Sequence, residues 1–188
     1  MTHSLRLVIL GRQGSGKGTQ CARLVAHYGT VHVSTGDMLR AAIAAGTPLG
    51  LLADSVMKAG NLVSDDLING IVEERFDQDD IRSRGVLLDG FPRTPVQADA
   101  LEKLVGPRGL DVAINLEVPV SVVKQRMLLR GRVDDTPEAI ERRLGLYDRE
   151  TAPLIEWFTT RGLLVEVDGL GTEEDVFGRL VLAIDARR

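Results

Sequence analysis

Apolar positions along the chain follow two alternating patterns, and the alternation predicts the fold class. Short, largely apolar, β-rich runs fall at 5–10, 31–34, 85–89, 112–116 and 163–167, most of them nearly continuous in hydrophobic side chains, as in strands of a sheet covered on both faces. Between them, stretches at 16–28, 36–60 (broken at Gly46-Thr47-Pro48), 64–76, 95–105, 119–130, 136–161 and 172–186 carry helical spacing. Leu24, Val25 and Tyr28, for example, fall along one side of the first helix. Caps are legible at Ser64, at Thr136 ahead of Pro137 and Glu138, and at Thr172 ahead of Glu173, Glu174 and Asp175. Strands that alternate with helices imply parallel pairing through right-handed crossovers, hence an α/β fold. The segment 36–63 is long for a plain crossover and reads as an inserted subdomain able to move. No internal repeat, low-complexity tract or linker divides the chain, so one domain is expected.

The first strand runs directly into Gly11-Arg12-Gln13-Gly14-Ser15-Gly16-Lys17-Gly18-Thr19. A strand, a glycine-rich loop ending in lysine and then a helix form the context of a phosphate-binding P-loop. Gly11, Gly14 and Gly16 let the backbone turn its N–H groups toward an anion. The helix beginning near Gly16 adds its positive end, and Lys17 adds a mobile full charge. The bland alternative, an ordinary turn with a surface lysine, does not need both flanking elements. The motif asks for Ser or Thr after the lysine, where this chain has Gly18, with Thr19 one place later. Phosphate binding therefore follows more directly than a hydroxyl contact to Mg²⁺.

In a parallel sheet, ligands gather at the carboxyl ends of the strands, which places chemistry at 11–17, 34–40, 89–93 and just after Leu116. Thr35, just past the second strand, can hydrogen-bond a base or a hydroxyl, and Arg40, about one helical turn on, can reach a phosphate. The alternative makes Ser34 or Thr35 an N-cap and Arg40 a solvated charge. Asp89 ends a buried strand, where a carboxylate can hold Mg²⁺ through water; otherwise it caps the next helix. Gly90 permits close approach, and Pro92 stiffens the turn that aims Arg93. Arg126, Arg130 and Arg132 fall within seven residues, with Arg143 further along. Clustered guanidiniums suit the equatorial oxygens of a transferring phosphoryl group.

Composition narrows the reading further. At 188 residues, 44% hydrophobic and 27% charged, the chain has the makeup of a soluble globular domain. A net charge of −4 argues against a bulk nucleic-acid or membrane binder, so any polyanion must be held by local clusters. Arginine outnumbers lysine 19 to 4, most of it attributable to compositional bias on solvated faces. Cys21 is the single cysteine and reads as a small buried hydrophobe, which excludes an intrachain disulfide and a cysteine-based zinc site. His3, His27 and His32 share no metal-ligand spacing and read as incidental. The N-terminal apolar run is too short for a signal peptide and no run reaches membrane-spanning length, so a reducing, cytoplasmic setting is expected.

These segments together resemble the adenylate kinases, of the nucleoside monophosphate kinase family, from end to end. The resemblance rests on 11–20, Ser34-Thr35-Gly36-Asp37 with Arg40, Lys58-Ala59-Gly60-Asn61-Leu62-Val63, Asp89-Gly90-Phe91-Pro92-Arg93, Arg130-Gly131-Arg132-Val133-Asp134-Asp135, and Tyr147 through Thr151-Ala152-Pro153-Leu154. It implies a P-loop NTPase fold, with a five-stranded parallel sheet and helices on both faces. A small AMP-binding insertion at about 34–63 and a short lid at about 129–139 would complete it. It assigns Gly14, Ser15, Gly16, Lys17, Gly18 and Thr19 to the phosphates of ATP and Gly171 to its adenine. It assigns Thr35, Arg40, Asn61, Leu62, Val63, Gly90, Phe91, Pro92, Arg93 and Gln97 to AMP. Arg130 resembles a lid arginine on ATP, Arg132 and Arg143 resemble arginines on the AMP side, and Arg126 matches one facing the transferring phosphoryl. Mg²⁺ would arrive with ATP. The lid lacks the long insertion and its cysteines, so no structural zinc is implied, and small members of the family are usually monomers. Arg12-Gln13 depart from the small residues and proline usual in the loop, and Leu129 replaces a glycine common before the first lid arginine. Pyrimidine monophosphate kinases of the UMP/CMP type resemble the chain too, but tend to carry Ala at the Thr35 position and Asn at the Gln97 position. A non-catalytic nucleotide-binding module would have no need of Arg93, Arg126, Arg130, Arg132 and Arg143 together.

Overall fold

A computed structural model describes residues 4–132 and 135–187. Strands β1 (Arg6–Leu10), β2 (Val31–Ser34), β3 (Val86–Asp89), β4 (Val112–Glu117) and β5 (Leu164–Asp168) form a parallel sheet in the order β2-β3-β1-β4-β5. Chain order and sheet order differ because each parallel neighbour is reached by a helical crossover. The helices are α1 (Lys17–Tyr28), α2 (Thr35–Ala44), α3 (Pro48–Lys58), α4 (Asp65–Phe76), α5 (Asp79–Arg84), α6 (Pro95–Val105), α7 (Val120–Arg130), α8 (Pro137–Leu146), α9 (Pro153–Thr160) and α10 (Glu173–Asp185).

Alternation along β1 explains why the sheet is covered twice. Leu7 and Ile9 point to a face filled by Cys21 and Leu24 of α1 and by Val176, Leu180 and Ile184 of α10. Val8 and Leu10 point to the other face, filled from α4, α6 and α9 by residues such as Ile68, Leu101 and Phe158. Each such fully buried side chain contributes about 1.5–3 kcal/mol. A third cluster, Val123 and Met127 with Ile140 and Leu144, fastens α7 to α8 above the sheet.

Three expectations change at this level. Thr136 and Thr172 cap their helices, the latter in a reciprocal capping box with Asp175, but Ser64 makes no side-chain cap hydrogen bond. Asp65 and Asp66 in the first turn of α4 supply the favourable charge at that end instead. The predicted helix over 136–161 is divided into α8, a π-helical turn at Tyr147–Thr151 and α9. Pro153 has no N–H to donate and its ring crowds the preceding turn, so the chain widens and Ala152 N donates to Tyr147 O at 2.8 Å. Finally, α5 and a 3-10 turn at Gly106–Arg108 fill stretches where no element was expected. In α5 only Ile81 is buried, which leaves no apolar period to detect.

Between β2 and β3 the chain projects α2 and α3 as a helical pair. Thr47 caps α3 by accepting from Gly50 N at 3.1 Å, and Gly50 lies against the α2 backbone. A Cβ there would stand 2.2 Å from Ala42 O and 2.4 Å from Ala42 C. Neither atom can yield without moving α2. Gly50→Ala is expected to destabilise the protein by about 1–3 kcal/mol, the usual range for overpacking. A urea unfolding midpoint unchanged from wild type would contradict that close approach.

Candidate active site

The register places the carboxyl ends of the central strands level: Ile9 pairs with Asp89, and Asp89 with Ser34. Above them lies a cleft of about 460 Å³ lined from the P-loop, α2, the loop after α3, the turn after β3, α7 and α8. Among the described residues, seven basic side chains line it (Lys17, Arg40, Arg93, Arg126, Arg130, Arg132 and Arg143) against two carboxylates, Asp37 and Asp89.

The P-loop takes its shape from close packing as well as from backbone freedom. Gly11 and Gly14 have φ of 144° and 83°, and a Cβ on either would stand 2.7 Å from a backbone oxygen, of Leu116 and Val123 respectively. Lys17 curls over the loop, its Nζ donating to Gly11 O at 2.6 Å and Arg12 O at 3.0 Å. Burial holds its ammonium below the ordinary lysine range, with Asp89 opposing and Arg93 and Arg130 adding to the effect. Arg126 Nη1 donates to Ser15 O at 3.2 Å, which carries α7 to the loop.

The turn after β3 is anchored from both sides. Gly90 O accepts from Thr35 Oγ1 and from Arg93 Nε, each at 2.8 Å. Arg93 N donates to Gln97 Oε1 at 2.8 Å, and Arg93 O accepts from Thr151 Oγ1 at 2.9 Å. Gln97 Nε2 is held by Asp65 Oδ1 at 2.8 Å, so each end of the amide has one partner and retains one further hydrogen-bonding position. Burial presses hardest against the charge of Arg93; Asp89 opposes it, and Arg40 and Arg143 add repulsion. Arg40 pairs with Asp37.

Burial works against ionisation of Asp89, yet neighbouring His32, Lys17 and Arg93 outweigh it and hold the carboxyl below the usual carboxylate range. His32 is therefore not incidental: its Nε2 lies 3.6 Å from Asp89 Oδ2, in a group that also includes Cys21. Sequence spacing missed this because the three residues meet only through the fold.

At the end of α7, Asp135 is enclosed by two arginines. Arg130 approaches it bidentately, Nε to Oδ2 and Nη2 to Oδ1 at 2.9 Å each, and Arg143 Nη1 donates to Oδ1 at 3.2 Å. Burial opposes the charge on Asp135, but Arg130 above all keeps it ionised. Arg143 Nη2 also reaches Met57 O at 3.2 Å and Arg142 reaches Ala59 O at 2.7 Å, so α8 grips the end of α3. Of the expected lid, Val133 and Asp134 lie outside the described residues.

The structure brings most of the expected residues to this cleft, including Gly14, Gly16, Gly18, Thr19, Asn61, Leu62, Val63, Gly90 and Pro92. Three others are not among the lining residues: the Ser15 side chain is buried within the loop, Phe91 is part of the core, and Gly171 lies beyond β5 against Asp175 and Arg179. Gln13 and Tyr147 line the cleft without having been assigned a role. Tyr147 stacks under Arg12 at 4.9 Å from its ring centroid, and Arg12 pairs with Asp148 at 2.7 Å, so the unusual loop arginine is tied to the π-helical turn.

Comparison with known proteins gives a consistent picture. Residues 9–163 match a family model described as adenylate kinase. A curated adenylate kinase of Stenotrophomonas maltophilia (strain K279a) is 47% identical over 188 residues, covering 97% of this chain and all of the relative. One from Azorhizobium caulinodans is 49% identical over 184 residues, covering 92% and 94%. One from Xylella fastidiosa (strain 9a5c) is 45% identical over 186 residues, covering 96% and 99%.

Proposed function

The chain belongs to the adenylate kinase family, and from that premise we propose how its residues divide the work between two nucleotides. It is an ATP:AMP phosphotransferase with the P-loop NTPase fold. A phosphate oxygen of AMP attacks the γ-phosphorus of ATP, the bond to the β–γ bridging oxygen breaks, and two ADP result. The acceptor phosphate has a second pKa of about 6, so the attacking oxygen is already anionic at neutral pH and needs no general base. The requirement is instead to hold two polyanions together in line, and the excess of basic side chains over carboxylates in the cleft carries this reading.

On the donor side, Gly14, Ser15, Gly16, Gly18 and Thr19 cradle the phosphates through the loop, with Lys17 and Arg130 on the outer phosphates and Gly171 beside the adenine. Ser15 acts there through its backbone, since its side chain is buried. On the acceptor side, Arg40 grips the AMP phosphate, joined by Arg93, Arg132 and Arg143. Thr35, Asn61, Leu62, Val63, Gly90, Phe91, Pro92 and Gln97 surround the nucleoside, Phe91 through its backbone alone because its ring is in the core. The free position on the Gln97 amide suits the adenine edge, which favours AMP over a pyrimidine nucleotide. Arg126 lies between the two sides. The segments 34–63 and 129–139 serve as the AMP-binding part and the lid, closing to exclude water.

Asp89 is the carboxylate that fits Mg²⁺, through water, since it lines the cleft and is held ionised; Gly18 supplies no hydroxyl beside Lys17. When bound with ATP, the ion neutralises oxygens of the β- and γ-phosphates. The single cysteine fits a cytoplasmic setting, and the protein is read as a monomer. Among the described residues no helix is long and apolar enough to cross a membrane.

Arg40→Ala tests the division. Because Arg40 holds the acceptor before and during transfer, the KM for AMP should rise about tenfold or more with kcat far less affected. Arg126→Ala should chiefly depress kcat, because its contacts grow as charge spreads in the transition state. A change confined to the KM for ATP in Arg40→Ala would place the nucleotides on the opposite sides.

A further inference from the structure

Three side chains far apart in the chain meet behind the P-loop. Cys21 in the second turn of α1, His32 within β2 and Asp89 at the end of β3 bring one ligating atom each to within 4.8 Å of the others. The thiol is fully buried. His32 Nε2 is buried too, with no hydrogen-bond partner among the described residues, and faces Asp89 Oδ2 at 3.6 Å. A buried ring nitrogen that faces a carboxylate within ion-pair range but beyond hydrogen-bond distance, with a buried thiol beside both, is an arrangement that a cation between them would complete.

Against the expectation drawn from a single cysteine, we propose that Cys21, His32 and Asp89, which meet only through the fold, form a site for a thiophilic divalent cation of the zinc class. One thiolate, one imidazole and one carboxylate make a borderline-soft donor set, and three protein ligands leave the fourth tetrahedral position to water. With bonds of about 2.0–2.3 Å, tetrahedral donors stand roughly 3.3–3.6 Å apart. The widest observed separation therefore has to close by about 1.2–1.5 Å. Rotation of His32 and Asp89 supplies this, their side chains being 28% and 13% exposed. Asp89 also lines the cleft, which gives an ion its route in. Mg²⁺ does not compete for the thiol, because it takes oxygen donors in octahedral geometry. On binding, the metal–sulfur bond forms and the thiol proton leaves to solvent. The bound ion takes the Asp89 carboxylate away from its role toward Mg·ATP, so it acts as an inhibitor.

The binding half of this proposal does not depend on the residue roles given above, and its test needs no nucleotide. Titrating the reduced, nucleotide-free protein with Cd²⁺ is expected to give thiolate-to-metal charge-transfer absorbance that saturates at one equivalent. Calorimetry with Zn²⁺ should show the matching site. Cys21→Ala should abolish the absorbance and weaken Zn²⁺ at least tenfold, and its activity in Mg²⁺ should match wild type while resisting added Zn²⁺. His32→Gln should also weaken Zn²⁺ at least tenfold while keeping some thiolate absorbance. Wild-type protein without that absorbance, or Cys21→Ala binding Zn²⁺ with undiminished affinity, would overturn the proposal. Should Cys21→Ala fail to give a native melting curve, undiminished Zn²⁺ affinity in His32→Gln overturns it alone.

Discussion

Lys17→Met is expected to slow phosphoryl transfer by at least about a hundredfold, the scale seen when one charged or polar donor to a developing anion is lost. The substitution keeps the length and roughly the volume of the side chain and removes only its charge and donors. Those donors rest on Gly11 O and Arg12 O, two carbonyls of the loop. They are therefore parked on the loop that receives the phosphates, ready to exchange carbonyl oxygens for phosphate oxygens. Burial already disfavours the ammonium there, so an incoming polyanion relieves a cost present before binding. Lys17 belongs to none of the three hydrophobic clusters, and the thermal midpoint should change little. Steady-state ADP formation from ATP and AMP, alongside a melting curve, checks both halves. More than a tenth of wild-type turnover would remove Lys17 from the role given to it.

Arg93→Ala should have a comparable effect on kcat/KM, a loss of about a hundredfold or more. Its effect on stability should go the other way. Burial presses hardest against the charge of the Arg93 guanidinium; Asp89 opposes it, and Arg40 and Arg143 add repulsion. Removing it relieves that repulsion, while Gly90 O keeps the Thr35 hydroxyl as a donor. Without nucleotide the variant should melt at the wild-type temperature or above it, the expected exchange of activity for stability at a functional site. Saturating AMP should raise its midpoint less than that of wild type, because the acceptor phosphate has lost one of its partners. A nucleotide-free midpoint several degrees lower would show Arg93 to be chiefly a structural residue of the turn after β3.

The sheet and its helices were legible because their signals are periodic. Buried parallel strands read as apolar runs, and Thr136 and Thr172 announce their helices. The P-loop was legible for a different reason: three glycines at fixed places report a backbone shape that other residues do not adopt. What escaped notice depends on contacts that spacing cannot encode. His32 gained its significance only when β2 was laid beside β3 in a register that sets Ser34 opposite Asp89. The enclosure of Asp135 by Arg130 and Arg143 joins α7 to α8 across a turn, and no local period records it. Ser64 misled because a serine before an acidic helix start has the composition of a cap, whereas its hydroxyl makes no such bond. Gly171 and Phe91 were drawn from resemblance alone, and no local pattern in the sequence points to either.

The π-helical turn at Tyr147–Thr151 acts on the chain as a change of phase. Before it, Ile140 and Leu144 turn their apolar side toward α7; after it, Leu154 and Phe158 turn theirs into the core beneath the sheet. An uninterrupted α-helix advances 100° per residue and would keep a single stripe throughout. The wider turn takes up one extra residue, so the stripe shifts by about that angle and a single winding stretch of chain faces two hydrophobic clusters in succession. The same loosened backbone leaves Thr151 to hold Arg93 and Asp148 to hold Arg12. The P-loop and the turn after β3 are thus indexed to one another through a single mis-wound segment. Shortening it by one residue would rotate every downstream contact at once, which makes its length, more than its composition, the quantity that sets the alignment of the two halves of the cleft.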